Sequence, residues 1–98
     1  MHARVTEITG SPDAADAGIA NFRDETLPML REIDGNKGAL LLIDRTSGKG
    51  LAVTLWDSED AMRASEERVK AMRAQAAETL GATGAPSVDR YEVAVFET

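Results

Sequence analysis

Trp56, which closes an apolar run, is the residue beside which this sequence can best build a binding site. It is the only tryptophan, and at a period of two it shares a side with Ala52 and Thr54, whose small side chains leave room for a flat ligand next to an indole. The competing explanation is plain packing, the commoner fate of a large aromatic. Other chemistry is thinly supplied. His2 is the only histidine and there is no cysteine, so neither a thiolate metal site nor a multi-histidine one can be assembled within one chain. Asp57, Glu59 and Asp60 stand close together, but the helix dipole accounts for carboxylates that open a helix before a divalent cation is needed. Gly48 with Gly50 and Gly81 with Gly84 mark turns, without a phosphate-loop lysine or a dinucleotide fingerprint. Met29, Met62 and Met72 suit helix packing. On these grounds no metal and no cofactor is expected.

Composition narrows the partners. The 98 residues suffice for one small domain, expected over 1–98, and a chain so short gains much from a partner subunit. Eleven Lys and Arg against 17 Asp and Glu give a formal charge of −6, which repels phosphate backbones and anionic bilayers, so neither nucleic acid nor membrane is an expected partner. The N-terminus lacks a signal-peptide pattern and no apolar run can span a bilayer, which makes a cytoplasmic protein the expectation.

The elements that must position these residues follow from local chemistry. Val5, Thr6, Ile8 and Thr9 favour a first strand ended by Gly10. Ser11-Pro12 starts a helix, with the serine as cap, and Ala15, Ile19, Phe22, Thr26, Leu30 and Ile33 form its buried stripe. Pro28 falls inside that stripe and predicts a kink or break near Asp24 to Leu27. Asp34 to Gly38 is turn chemistry. Ala39 to Ile43 and Leu51 to Trp56 then read as a hairpin. With Thr46 to Lys49 as its loop, Ile43 faces Ala52, Leu41 faces Thr54 and Ala39 faces Trp56. Ser58 or Asp57 caps a second helix with Ala61, Ser65, Val69, Met72, Ala76 and Leu80 inward, and with Glu59–Arg63 and Glu66–Lys70 paired outside. Val88 to Phe96 is the last strand.

Strand, helix, strand, strand, helix, strand is the order of a ferredoxin-like α+β fold, βαββαβ, with a four-stranded antiparallel sheet and both helices on one face. The hairpin strands are nonetheless apolar on both sides. Leaving Leu40, Leu42, Val53 and Leu55 in water would forfeit about 1.5–3 kcal/mol for each side chain. A homodimer that stacks two sheets through that face is therefore expected.

Phe22 to Ile33 with its Leu27-Pro28 step, the turn at Gly35, the strand from Ala39 to Asp44 and above all Thr54-Leu-Trp-Asp-Ser-Glu-Asp-Ala61 resemble the dimeric α/β-barrel superfamily, particularly its antibiotic biosynthesis monooxygenase-like (ABM) group. The resemblance covers nearly the whole chain and implies the fold more specifically than an activity, because the group includes cofactor-independent oxygenases, haem-degrading enzymes, decarboxylases and proteins of unknown function. It places Trp56 in a cleft between helices and sheet. For a cofactor-independent monooxygenase acting on a flat phenolic molecule, Phe22, Trp56 and Met72 would be walls and Thr6, Thr54 and Tyr91 polar contacts, with Arg4 or Arg90 stabilising a phenolate. No general base is marked out. Haem-degrading members use a second-helix histidine and a first-strand asparagine; here Ser65 and Glu66 stand in the helix region concerned, and no asparagine lies between Met1 and Gly10. Haem binding or degradation thus ranks behind the oxygenase and its rival, a non-catalytic small-molecule-binding or stress-related protein.

Overall fold

Strand β1 (His2–Thr9) is the middle of the molecule, hydrogen-bonded to β3 (Lys49–Trp56) on one side and β4 (Ser87–Glu92) on the other. With β2 (Asn36–Ile43) outside β3, the sheet order is β2-β3-β1-β4 and every neighbouring pair is antiparallel. This is the expected ferredoxin-like arrangement. The computed structural model describes all residues from Met1 to Thr98.

The hairpin register differs from the expected one by two residues. Leu41 lies opposite Ala52, Ala39 opposite Thr54 and Ile43 opposite Gly50. The loop is four residues long, as expected, but begins one residue earlier. Asp44 N–H bonds the Lys49 carbonyl at 2.9 Å and Gly48 N–H bonds the Asp44 carbonyl at 2.8 Å, leaving Arg45 to Gly48 as the turn. Gly48 has φ 81°, and an added Cβ there would lie 2.5 Å from the Gly10 carbonyl oxygen. A shift of two preserves which face each side chain takes. A bulge between Asn36 and Gly38 then lets Asn36 meet Trp56.

The first helical connection has four pieces: a 3-10 turn (Pro12–Ala14), α1 (Ala15–Asn21), a π-helical segment (Phe22–Thr26) and α2 (Leu27–Arg31). Proline at 28 has no N–H for the Asp24 carbonyl, and the backbone absorbs that loss by widening: Leu27 N–H reaches back five residues to Phe22. Ser11 makes no side-chain cap bond, so Pro12 alone opens the connection.

The second connection, expected as one helix, is α3 (Glu59–Ala64) and α4 (Glu66–Thr79), divided at Ser65. Ser58 Oγ caps α3 by accepting from Ala61 N–H at 3.0 Å. Ser65 Oγ donates to the Met62 carbonyl at 2.7 Å, and the guanidinium of Arg4 donates to that same oxygen at 2.7 Å. A carbonyl drawn into two side-chain bonds weakens the helical ladder at that point.

β4 ends at Glu92, four residues short of the expected Phe96, because its partner ends. Glu92 pairs with His2, Val93 N–H bonds the Met1 carbonyl at 2.9 Å, and beyond it Val95 and Phe96 are exposed. Between helices and sheet, Trp56 packs with Leu30, Met62, Val69 and Met72 as the core. On the opposite face Leu40 lies across from Val53 and Leu42 from Leu51, with Leu40 40% and Leu42 50% exposed. No helix is long and apolar enough to cross a membrane.

Candidate functional site

The strand pleat sends Arg4, Thr6 and Ile8 of β1 and Ala52 and Thr54 of β3 toward the helices, where they floor a cavity of about 40 Å³. The π segment and α2 supply one wall through Phe22, Thr26 and Leu30, and α4 the other through Val69, Met72 and Ala76. Phe22 and Thr26 are the first and last residues of the π segment, so the irregularity that Pro28 causes shapes this wall directly. The lining is almost wholly apolar apart from Arg4, Arg73 and the hydroxyls of Thr6, Thr26 and Thr54. Drug-sized ligands occupy roughly 300–1,000 Å³, so a flat polycyclic molecule requires the helices to part.

Arg4 is the unusual member of the floor. It is 1% exposed, and a guanidinium in such a place must be paired. Its Nη2 donates to the Met62 carbonyl, to Ser65 Oγ at 3.2 Å and to Glu66 Oε2 at 2.8 Å. Its carbon Cζ stands 5.6 Å from the centre of the Trp56 ring, a cation–π contact. Arg4 Nε and Nη1 are buried without a partner, as is Nε of Arg73. Glu66 is shared: Oε1 accepts from Arg73 at 3.3 Å and from Arg90 at 2.8 Å. Burial pulls the Arg4 pKa below its ordinary value, opposed by the charge of Glu66. For Glu66, partial burial works upward, but the hydrogen bond from Arg90, the charge of Arg4 and the hydrogen bond from Arg73 outweigh it and hold the carboxyl below the ordinary range.

Of the residues singled out from the sequence, Thr6, Thr54, Phe22 and Met72 come together around the cavity. Trp56 does not line it. The indole is fully buried at the end of the cleft, its Nε1 donates to Thr54 Oγ1 at 3.0 Å, and Leu30, Met62, Val69 and Met72 fill the space that its small sheet neighbours leave. Tyr91 is not brought to the cleft either: it pairs with Ala3 on edge strand β4 and is 54% exposed. Glu66 pairs with arginines and not with Lys70, whereas the Glu59–Arg63 pair forms as expected. The roles of Glu66, Ser65 and Arg73 escape sequence reading. The available signal was Arg4 itself, a charge alternating with Thr6 and Ile8 on an inward strand face.

A second, polar depression of about 360 Å³ is lined by His2, Glu59, Arg63, Arg90, Tyr91 and Glu92. Glu59 there is already matched by Arg63 and, at 3.7 Å, by His2. The apolar cleft, with its unmet donors, is the better candidate.

The family model described as antibiotic biosynthesis monooxygenase matches residues 1–82. The chain belongs to this ABM family. The uncharacterised protein Rv2558 of Mycobacterium tuberculosis is 43% identical over 96 residues, which is 98% of this chain and 40% of that protein. The chain thus spans about two fifths of the length of the curated relatives it matches. Among solved structures, a monooxygenase from the ActVA-Orf6 gene of Streptomyces coelicolor, in complex with nanaomycin D, superposes with TM-score 0.77 at 16% identity, covering 99% of this chain and 92% of that one. The haem-degrader MhuD of M. tuberculosis, with two haems in its active site, gives 0.76 at 21% identity and full coverage of both chains. At such identities these two ABM neighbours speak for the fold.

Proposed function

We propose that this ABM protein is a homodimer that binds a small, flat, apolar or phenolic molecule between helices and sheet, and oxygenates it without a cofactor. The observation that carries the reading is the cleft itself, apolar on nearly all sides yet floored by a buried guanidinium and two hydroxyls. An electron-rich phenol or anthrone reacts with oxygen once deprotonated, so a protein need only exclude water, hold the ring and stabilise the anion. In the conversion of an anthrone to a quinone, one oxygen atom becomes the new carbonyl and the other leaves as water with the two methylene hydrogens. All four electrons come from the substrate and reduce the oxygen molecule, so no other reductant is required.

Phe22, Leu30 and Met72 would hold the ring, with Thr6 and Arg4 on its polar edge. The second reading, a binding protein without catalysis, draws its support from a lining that offers no histidine or carboxylate to take the proton. Haem fits these residues poorly. The sole histidine pairs with Glu59 outside the cleft, and Ser65 and Glu66 are both hydrogen-bonded to Arg4.

Oxygen uptake and ligand titration with a panel of anthrones and hydroquinones test the proposal. Saturable uptake of one oxygen per quinone formed, lost in a cleft-filling Ala52→Leu variant, is the expected result. Saturable binding without uptake would favour the non-catalytic reading, and no binding at all would reject the site.

A further inference from the structure

Charge is distributed unevenly in this molecule. A chain of formal charge −6 gathers three of its 11 basic side chains, Arg4, Arg73 and Arg90, about the single carboxylate of Glu66. The group therefore keeps an excess positive charge, and two of its members, Arg4 and Arg73, line the cleft.

The donor count of Arg4 gives that excess a direction. A guanidinium has five N–H groups, of which the two on Nη2 serve three acceptors. The three on Nε and Nη1 have none, although the residue is 99% withdrawn from solvent on its 1% exposure. A buried donor left unmet is costly, most of all on a charged group, so such a set calls for an acceptor from outside the chain. The Nε donor of Arg73, equally unmet, adds to the demand from α4.

We infer that the cleft selects the ionised form of its ligand, a flat apolar molecule with one anionic oxygen directed at Arg4 and Arg73. This rests on the binding reading above and narrows its substrate class to phenols and enols acidic enough to ionise there. Around Arg4, the charged groups are Glu66 and Arg73 from α4 and Arg90 from β4. α3 contributes the Met62 carbonyl, and β3 presents the Thr54 hydroxyl and the Trp56 face, without a titratable group. The π segment brings Phe22 and Thr26, also uncharged. Glu66 is thus the only negative charge in the set and sets the strength of the selection. It is a positioning residue for Arg4, and removing its charge leaves the guanidinium freer to hold an anion.

The test uses 4-nitrophenol, whose own absorption reports its ionisation, and neutral 4-nitroanisole of similar shape, each titrated against the wild-type protein across pH. The nitrophenolate should bind at least about tenfold more tightly than nitroanisole. By linkage the pKa of the bound phenol should then fall by about one unit. Arg4→Met should erase the preference. Glu66→Gln, which removes the charge but keeps the side-chain size and one of the two acceptor oxygens that the arginines use, should enlarge it, with its fold checked by circular dichroism. Equal binding of the two probes, or a Glu66→Gln variant whose preference is unchanged or reduced, overturns anion selection while leaving the apolar site in place. Failure of both probes to bind refutes the binding reading and this inference with it.

Discussion

Replacing Glu66 by alanine is the sharpest perturbation of this structure, because one carboxylate serves a fully buried arginine, a half-buried one and an exposed one. Removing one partner of a fully buried ion pair costs about 3–5 kcal/mol, whereas an exposed pair is worth about 0–1 kcal/mol. Arg4 belongs to the first class at 1% exposure and the Glu66 side chain, 32% exposed, lies toward the second. With solvent screening discounted, Glu66→Ala should destabilise the protein by about 2 kcal/mol. With a urea m-value near 1–1.5 kcal/mol/M for so small a chain, the midpoint should fall by about 1.5 M. The pH dependence fixes the cause. The folded carboxyl titrates below its ordinary value, so its stabilisation is complete above the unfolded pKa of about 4.3 and is lost as pH falls through the lower folded value. The gap between wild type and variant should therefore be full at neutral pH and close in acid. Lys70→Ala, which removes the neighbour one helical turn away, should stay within about 0.5 kcal/mol of wild type. A neutral-pH gap smaller than that for Glu66→Ala, or a gap indifferent to acid, would show that Arg4 is not held by this charge.

Two further outcomes follow from the packing. Wild-type protein should sediment as a dimer at micromolar concentration, and Leu42→Glu, on the half-exposed side of β2, should yield a monomer with unchanged circular dichroism; a wild-type monomer would defeat the sheet-to-sheet pairing. Gly18→Ala, which in an open helix would stabilise by about 1 kcal/mol, should instead destabilise by about 1 kcal/mol, because the new Cβ would lie 2.1 Å from Cδ2 of the buried Leu80. The thermal midpoint should drop by about 4–8 °C, and a rise would mean that Leu80 has room to turn aside.

What the sequence disclosed and what it concealed divide along the distance over which each feature is decided. Pro28 predicts a disturbance four residues upstream from its own missing N–H, and the π segment lies there. Ser58 caps through an atom three residues away. The alternation of Leu40, Val53 and their neighbours gives the faces correctly even though the loop starts one residue early, because the resulting error is two and parity survives it. The length of β4 depends on where its partner β1 begins, ninety positions back in the chain. That cannot be read from the apolar run of Val93 to Phe96.

The site shows the same division more strongly. Thr6, Thr54, Phe22 and Met72 lie on inward faces that period alone reveals, and so does the anomaly of a charge at Arg4. What meets that charge is another matter. Glu66 has Lys70 one turn away, and local helix energetics favour that pair by a few tenths of a kcal/mol. The observed partner, 62 positions distant in sequence, is set by the desolvation of a buried guanidinium, a term several times larger. A residue whose burial is legible and whose partner is not marks the place where sequence reasoning should expect tertiary energetics to overrule the helix.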